Sequence, residues 1–126
     1  MSFYRIIIML FFAITAQAKT YVFVSFSLPE NLFIETLKES SSLKLPVLLN
    51  GLYQNDLQKT AQKIIELIKE APNLEMQINP NAFEKFNIKA VPAVVVARKN
   101  CFDVVYGNLT IKESLAKIKE KGECVK

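Results

Sequence analysis

Short strand-like segments and longer helical segments alternate along most of this 126-residue chain, and their order limits the fold more than any other feature. Runs rich in β-branched and aromatic residues predict strands, and runs with an apolar period of 3.6 residues predict helices. The predicted strands cover residues 20–26, 45–49, 74–78, 93–97 and 102–106, and the predicted helices cover residues 29–40, 56–70, a short stretch from 80, and 110–121. Strands separated by helices pair in parallel, so the pattern predicts an α/β domain.

The last two predicted strands are an exception to this alternation. The segment between them, residues 98–101, is too short for a crossover helix, so these strands form an antiparallel hairpin. The predicted fold class is therefore α/β, with a mixed central sheet of three parallel-type strands plus a C-terminal antiparallel hairpin, and with helices on both faces.

The predicted helices carry signals at their ends and along their buried sides. The serines at 40–42 mark the end of the first helix. Thr110 and Glu113 have the spacing of a capping box at the start of the last helix. Two apolar stripes follow the helical period: Leu57, Ala61, Ile64, Ile65 and Ile68 in the second helix, and Ile111, Leu115 and Ile118 in the last.

The N-terminus has the layout of an export signal. Arg5 gives it a positive charge, residues 6–13 form an apolar run, and Ala16-Gln17-Ala18 matches a cleavage site. The apolar run is shorter than the ~20 residues that a spanning helix needs. We therefore predict a cleaved signal peptide at residues 1–18, with an uncleaved anchor as the alternative. Residues 19–126 then form one domain that works outside the cytosol and meets the membrane only through the signal.

Composition excludes several classes of function. The chain has no histidine, which rules out Ser-His-Asp and Cys-His catalysis and histidine-based zinc sites. It has two cysteines, too few for a structural zinc site, and it lacks an aspartate-rich calcium loop. No run of basic residues with interleaved aromatics is present, so nucleic-acid binding is not expected. We predict no metal, no cofactor and no nucleic-acid partner.

Two local patterns resemble the thioredoxin fold. In the segment 86–96, FNIKAVPAVVV, a short helix, an isoleucine and Pro92 lead straight into a hairpin strand. The junction Ser27-Leu28-Pro29-Glu30 lies between a strand and a helix, where that family carries its C-x-x-C pair, and Pro29 matches the proline of C-G-P-C. The resemblance implies that the peptide bond between Val91 and Pro92 is cis.

A more specific resemblance covers nearly the whole chain after the signal. The segments FVSFSLP, VLLNGL, INPNAFEKFNIKAVPAVVV and DVVYGNLTIKESLAKIKEKG resemble, in order, the TrbC family of F-type conjugative transfer systems. This resemblance implies a periplasmic protein of a type IV secretion apparatus that is required for pilus assembly. It also implies a TraW-like transfer protein and other pilus assembly components as partners.

The junction at residues 27–30 carries no thiol, and two interpretations of it remain open. A serine hydroxyl lacks the chemistry of a cysteine thiolate at a helix N-terminus. In the first interpretation Ser27 and Glu30, which have the spacing of a capping box, only start a helix. The other interpretation is a retained groove in which the backbone of Val91 pairs with an extended peptide, a contact that needs no thiol. For Val91 and Pro92 the simpler alternative is a rigid turn.

The two cysteines are predicted to form a disulfide. Cys101 lies in the hairpin turn, and the last helix runs back antiparallel to the preceding strand, which returns Cys124 towards that turn. Export favours oxidation. The alternatives are two independent thiols or a redox pair, although neither cysteine begins a predicted helix.

Three functions follow from these features. The leading hypothesis is a non-enzymatic assembly factor that binds other transfer proteins. The alternatives are a thiol-disulfide oxidoreductase or isomerase that uses Cys101 and Cys124, and a chaperone for pilin subunits.

Overall fold

A computed structural model describes residues 17–107 and 109–124 of the chain. The strands are β1 (Lys19–Val24), β2 (Val47–Leu49), β3 (Met76–Ile78), β4 (Ala93–Ala97) and β5 (Phe102–Tyr106), and the helices are α1 (Glu30–Leu43), α2 (Leu57–Glu70), α3 (Pro80–Lys85) and α4 (Ile111–Lys121), with a 3-10 helix at Tyr53–Asn55. The predicted signal at residues 1–18 lies outside the described residues except for its last two. Within the described residues, no helix has the length and apolar content to cross a membrane.

The five strands form one mixed sheet in the order β3-β2-β1-β4-β5. β1 pairs in parallel with β2, and β2 pairs in parallel with β3. The hairpin of β4 and β5 joins on the other side, because β4 runs antiparallel to both β1 and β5. The predicted arrangement of three parallel strands and a C-terminal hairpin is confirmed.

The strand directions give the sheet two distinct ends. Lys19 is paired with Ala97, and Phe23 is paired with Ala93. We call the end where β1 stops and β4 starts the corner end, and the end where β1 starts and β4 stops the hairpin end. A six-residue strand separates them by about 17 Å.

Side chains of successive strand residues point to opposite faces of the sheet, and helices cover both faces. One face carries Val22 and Val24 and packs against α1, α2 and α4. The other face carries Phe23 and Val95 and packs against α3. The prediction of helices on both faces is confirmed.

The first helix does not end at the serines, and that prediction was wrong. The Ser40 hydroxyl donates to the Thr36 carbonyl within the helix at 2.7 Å. The Ser41 hydroxyl accepts the N–H of Asn73 at 2.9 Å, so it serves a neighbouring loop. The helix continues to Leu43, and Lys44 ends it in the left-handed conformation. Ser40 and Ser41 are tolerated inside the helix because both hydroxyls have hydrogen-bond partners, one within the helix and one in the loop.

The apolar stripe predicted for the second helix is only partly a core stripe. Leu57, Ile65 and Ile68 are exposed, whereas Thr60 and Leu67 are buried. The Thr60 hydroxyl accepts the N–H of Tyr53 and donates to the carbonyl of Asp56, so both of its polar roles are satisfied there. The 3.6-residue period shows that the apolar residues lie along one side of the helix. It does not show which of them contact the sheet.

The last helix begins with two sets of contacts. The predicted capping box of Thr110 and Glu113 is confirmed. In addition, the Glu39 carboxylate accepts the N–H of Ile111 at 2.7 Å and the N–H of Lys112 at 3.1 Å. A negative charge at a helix N-terminus is favourable, and here it also ties α1 to α4.

Replacing Glu39 with alanine is expected to lower the free energy of unfolding by about 2 kcal/mol, because two N–H groups lose a charged acceptor. Urea unfolding measures this change. Glu39→Gln keeps an acceptor oxygen, so it should cost about 1 kcal/mol. Glu35→Ala alters an exposed glutamate of the same helix and should cost no more than about 0.5 kcal/mol. Equal losses for the variants of Glu39 and Glu35 would contradict this role.

Candidate functional site

The junction between β1 and α1 is held in place by an aromatic side chain. Phe26 follows the end of β1, and its ring stacks on Phe33 of α1 with centroids 5.1 Å apart. The same ring meets the edge of Tyr53 at 5.3 Å. These contacts fix the loop that carries Ser27. Residues 20–26 were predicted as one strand, but β1 ends at Val24 and Phe26 anchors the loop that follows. Sequence reasoning missed this role, for which the aromatic residue at the end of the apolar run was the available signal.

Ser27 and Glu30 do not form the predicted capping box, and that prediction was wrong. α1 begins at Glu30 with Pro29 as its N-cap residue, and no side chain caps it. Ser27 therefore lies two positions before the N-cap, and its hydroxyl is bonded to that of Ser25 instead. Glu30 accepts a hydrogen bond from Lys63 of α2 at 2.9 Å, and this bond raises the pKa of Lys63.

The second predicted element of the site lies just before β4. The peptide bond between Val91 and Pro92 is cis. Pro92 is buried and its carbonyl accepts the N–H of Gly107 at 3.2 Å. Val91 is half-buried, and among residues 17–107 and 109–124 neither its N–H nor its carbonyl has a hydrogen-bond partner. This residue therefore offers one backbone donor and one acceptor.

Ser27 and Val91 lie in the same cleft, although 64 positions separate them in the chain. We call it the corner cleft, and it has a volume of about 310 Å³. Its lining residues are Ser25, Ser27, Asn50, Phe83, Ile88, Lys89, Ala90 and Val91. The other three residues of the junction, at positions 28–30, do not line it. The fold thus brings one junction residue and the residue before Pro92 together, as a peptide groove requires.

The cysteines lie at the other end of the sheet. Cys101 and Cys124 form a disulfide with their Cα atoms 5.7 Å apart, which confirms the predicted pairing. Asp103 holds the same region, because its carboxylate accepts the N–H groups of Glu123 and Cys124 at 2.9 and 3.0 Å. Cys101 is in the hairpin turn, so the disulfide lies at the hairpin end, about 17 Å from the corner cleft.

The corner cleft can offer hydrogen bonds, but its lining contains no cysteine and no carboxylate. Its donors and acceptors are the hydroxyls of Ser25 and Ser27, the amide of Asn50 and the backbone of Val91. Lys89 adds one positive charge. In the described part of the chain, no three acidic, cysteine or histidine side chains are grouped to hold a metal ion. The groups that line this cleft are hydrogen-bond donors and acceptors, one cation and apolar side chains.

Three solved structures share the architecture. The N-terminal domain of PilB from N. meningitidis, in its reduced form, has a TM-score of 0.58 and 16% identity, with coverage of 82% of this chain and 79% of that chain. DsbF of MTB has a TM-score of 0.55 and 12% identity, with coverage of 82% and 80%. StoA from Bacillus subtilis has a TM-score of 0.52 and 11% identity, with coverage of 81% and 82%. The fold is thioredoxin-like, as predicted.

The family is shown by a match over most of the chain. Residues 22–118 match the family described as the type-F conjugative transfer system pilin assembly protein. A relative from Escherichia coli (strain K12), named periplasmic protein TrbC, is 36% identical over 102 residues, which cover 81% of this chain and 48% of the relative. The chain thus spans about half the length of that relative. It is a periplasmic protein, as its N-terminal sequence predicts, and it belongs to the TrbC family of pilin assembly proteins of type-F conjugative transfer systems.

Proposed function

We propose that this chain is a non-enzymatic assembly factor that binds other transfer proteins in the periplasm. Its signal peptide at residues 1–18 is removed, and residues 19–126 act as one binding domain. The proposal rests mainly on one observation: the backbone of Val91 has no partner among the described residues, and it lies in a cleft with a serine in place of a thiol.

The corner cleft suits an extended peptide segment of a partner. Unpaired backbone groups at the edge of a fold can be paired by an added strand, which supplies affinity without a reactive side chain. Ser27 and Asn50 are exposed, line the same cleft and can bond the same segment. A TraW-like transfer protein is the proposed partner, together with other components of the pilus assembly apparatus.

A bulky side chain at Ser27 should block this binding. Ser27→Trp is expected to weaken binding to a TraW-like protein by at least about ten-fold, because the indole fills the corner cleft. The matched control is Ser42→Trp, which places the same side chain on an exposed position of α1, outside the lining of the cleft. Surface plasmon resonance with the immobilised partner measures both affinities. Equal affinities for the two variants would refute the corner cleft as the binding site.

The disulfide supports a second candidate, a thiol-disulfide oxidoreductase or isomerase. The disulfide lies away from the helix N-termini, which argues against this activity, although the cationic side chains of Arg98 and Lys99 beside Cys101 favour a thiolate. Cys124 follows the end of α4, where the helix dipole disfavours a thiolate. An insulin-reduction assay separates the two functions. Insulin reduction that is lost in Cys101→Ser would establish the enzyme. A non-enzymatic assembly factor should reduce insulin no faster than a thiol-free control.

A chaperone for pilin subunits is a further alternative within the same apparatus. A chaperone would suppress the aggregation of several unrelated unfolded clients, whereas a dedicated assembly factor would not. Light scattering during the refolding of two unrelated proteins distinguishes them. If the wild type suppresses the aggregation of both proteins and Ser27→Trp does so as well, the chaperone function would be favoured.

A further inference from the structure

A second cleft, on the opposite end of the molecule, has a different chemical character. It lies at the hairpin end and has a volume of about 520 Å³. Its lining in residues 19–126 combines cationic side chains with aromatic ones: Lys19, Tyr21, Lys85, Phe86, Ala97, Arg98, Lys99, Asn100, Cys101 and Phe102. Gln17 also contacts it, but this residue belongs to the predicted signal peptide. We call it the basic cleft. The disulfide at Cys101 fixes the turn that forms one of its walls.

The charged side chains that line the basic cleft are all positive. Lys19, Lys85, Arg98 and Lys99 are exposed, and no aspartate or glutamate is among the lining residues. Asp103 lies near this end, but its carboxylate is bonded to the backbone that follows α4. Among the described residues none of these four cations forms an ion pair, and four cations around one concavity attract a negatively charged ligand.

Aromatic rings form the apolar part of the same cleft. Phe102 is 42% exposed, and its ring meets that of Phe86 edge-on with centroids 5.0 Å apart. Phe86 is itself buried and is joined by Tyr21 at 5.8 Å. The Lys85 ammonium lies 5.3 Å from the centre of the Phe86 ring. The cleft therefore offers one accessible aromatic surface surrounded by positive charge.

We propose that the basic cleft docks an acidic segment of a partner protein that carries an apolar side chain among its carboxylates. The carboxylates pair with the exposed Lys and Arg side chains, and the apolar side chain packs on Phe102. Charge complementarity carries this assignment, because a net positive concavity without acidic lining is matched by an acidic peptide.

Two other anionic partners fit the cleft less well. Single-stranded nucleic acid is bound by aromatic rings on which successive bases stack. Phe86 is buried and Tyr21 is half-buried, so only Phe102 presents a ring widely to solvent. An anionic membrane surface is flat, whereas these groups line a concavity. A flexible acidic peptide can enter it.

This second docking site is independent of the corner cleft. Lys19 and Ala97 mark the end of the sheet at which the basic cleft lies, and Phe23 and Ala93 mark the other. The two sites are therefore separated by about the length of β1. A variant that abolishes binding at one end should leave the other unchanged, so failure of either site can be distinguished from failure of the other.

The test measures the binding of a short synthetic peptide of aspartate and glutamate residues around one phenylalanine. The mature protein, purified from the periplasm, is titrated into the fluorescent peptide, and anisotropy is recorded at rising salt concentration. The double variant Arg98→Glu and Lys99→Glu should bind at least about ten-fold more weakly. The double variant Lys59→Glu and Lys117→Glu has the same net charge and should bind within about two-fold of the wild type.

Further probes identify what the cleft recognises. Phe102→Ser should weaken binding of the acidic peptide, and a peptide with asparagine and glutamine in place of the acids should not bind. Equal losses for the two charge-reversed proteins would overturn the proposal, because they would show only non-specific attraction. Tighter binding of oligothymidylate than of the acidic peptide would also overturn it. Amide NMR shifts should map to the basic cleft, and shifts confined to the corner cleft would contradict it.

Discussion

Replacing Phe23 with alanine is expected to lower the free energy of unfolding by about 3–5 kcal/mol. The Phe23 side chain is fully buried in the central strand β1. Its ring makes edge-to-face contacts with Phe83 at 4.9 Å and Phe86 at 5.9 Å, and these attach α3 to the sheet. Truncation removes both contacts and leaves a cavity that a regular sheet cannot close. Because the free energy of unfolding of a whole domain is only about 5–15 kcal/mol, this one substitution should remove a large part of it.

Urea unfolding followed by circular dichroism measures the loss at Phe23. Phe23→Leu keeps most of the volume and should cost about 1.5 kcal/mol. Phe102→Ala removes the same side chain from β5, where the ring is 42% exposed, and should cost less than half as much as Phe23→Ala. Similar losses for Phe23→Ala and Phe102→Ala would mean that the face covered by α3 is not a tightly packed core.

The strands, their sequence along the chain and the hairpin could be predicted because each depends on local signals. Residues 93–97 form an uninterrupted apolar strand next to a proline, and the four residues that follow are too few for a crossover. The disulfide could be predicted for the same reason, since the hairpin and the direction of the last helix together bring Cys124 to Cys101.

Other features could not be predicted because they depend on contacts between distant segments. Ser27 has the spacing of a capping residue, but packing of Phe26 sets the loop so that α1 starts at Glu30. Glu39 gave no signal in the sequence, and its role appears only when α4 is placed against α1. The 3.6-residue period of α2 did not show that Ile65 would remain exposed.

The basic cleft is the clearest case of a property created by folding. The sequence has no run of basic and aromatic residues, and for that reason nucleic-acid binding was not expected. The cations of the cleft come from the start of β1, the end of α3 and the hairpin turn. Pairing of β1 with β4 brings Lys19 beside Arg98 and Lys99. A search for local charge clusters cannot find a site assembled in this way.

Removing the disulfide by the double substitution Cys101→Ser and Cys124→Ser is expected to cost about 3 kcal/mol of stability. The bond joins residues 23 positions apart, and it restricts the unfolded chain by closing that loop. Asp103 still accepts the N–H groups of Glu123 and Cys124, so α4 should keep its place at lower stability. The shift in the urea midpoint, compared with the oxidised wild type, gives the change. Reductant should destabilise the wild type by a similar amount and leave the double variant unchanged.

The same double variant also tests whether the disulfide affects binding at the corner cleft or at the basic cleft. The corner cleft lies about 17 Å from the disulfide, so binding of a TraW-like partner should stay within about two-fold of the wild type below the unfolding transition. The acidic peptide should bind more weakly, because the turn at Arg98 and Lys99 loses its covalent anchor at Cys101. If partner binding were lost and peptide binding kept, the disulfide would act on the corner end, and the assignment of the two sites to opposite ends would be wrong. Unchanged stability would instead show that the C-terminal segment is held by Asp103 alone.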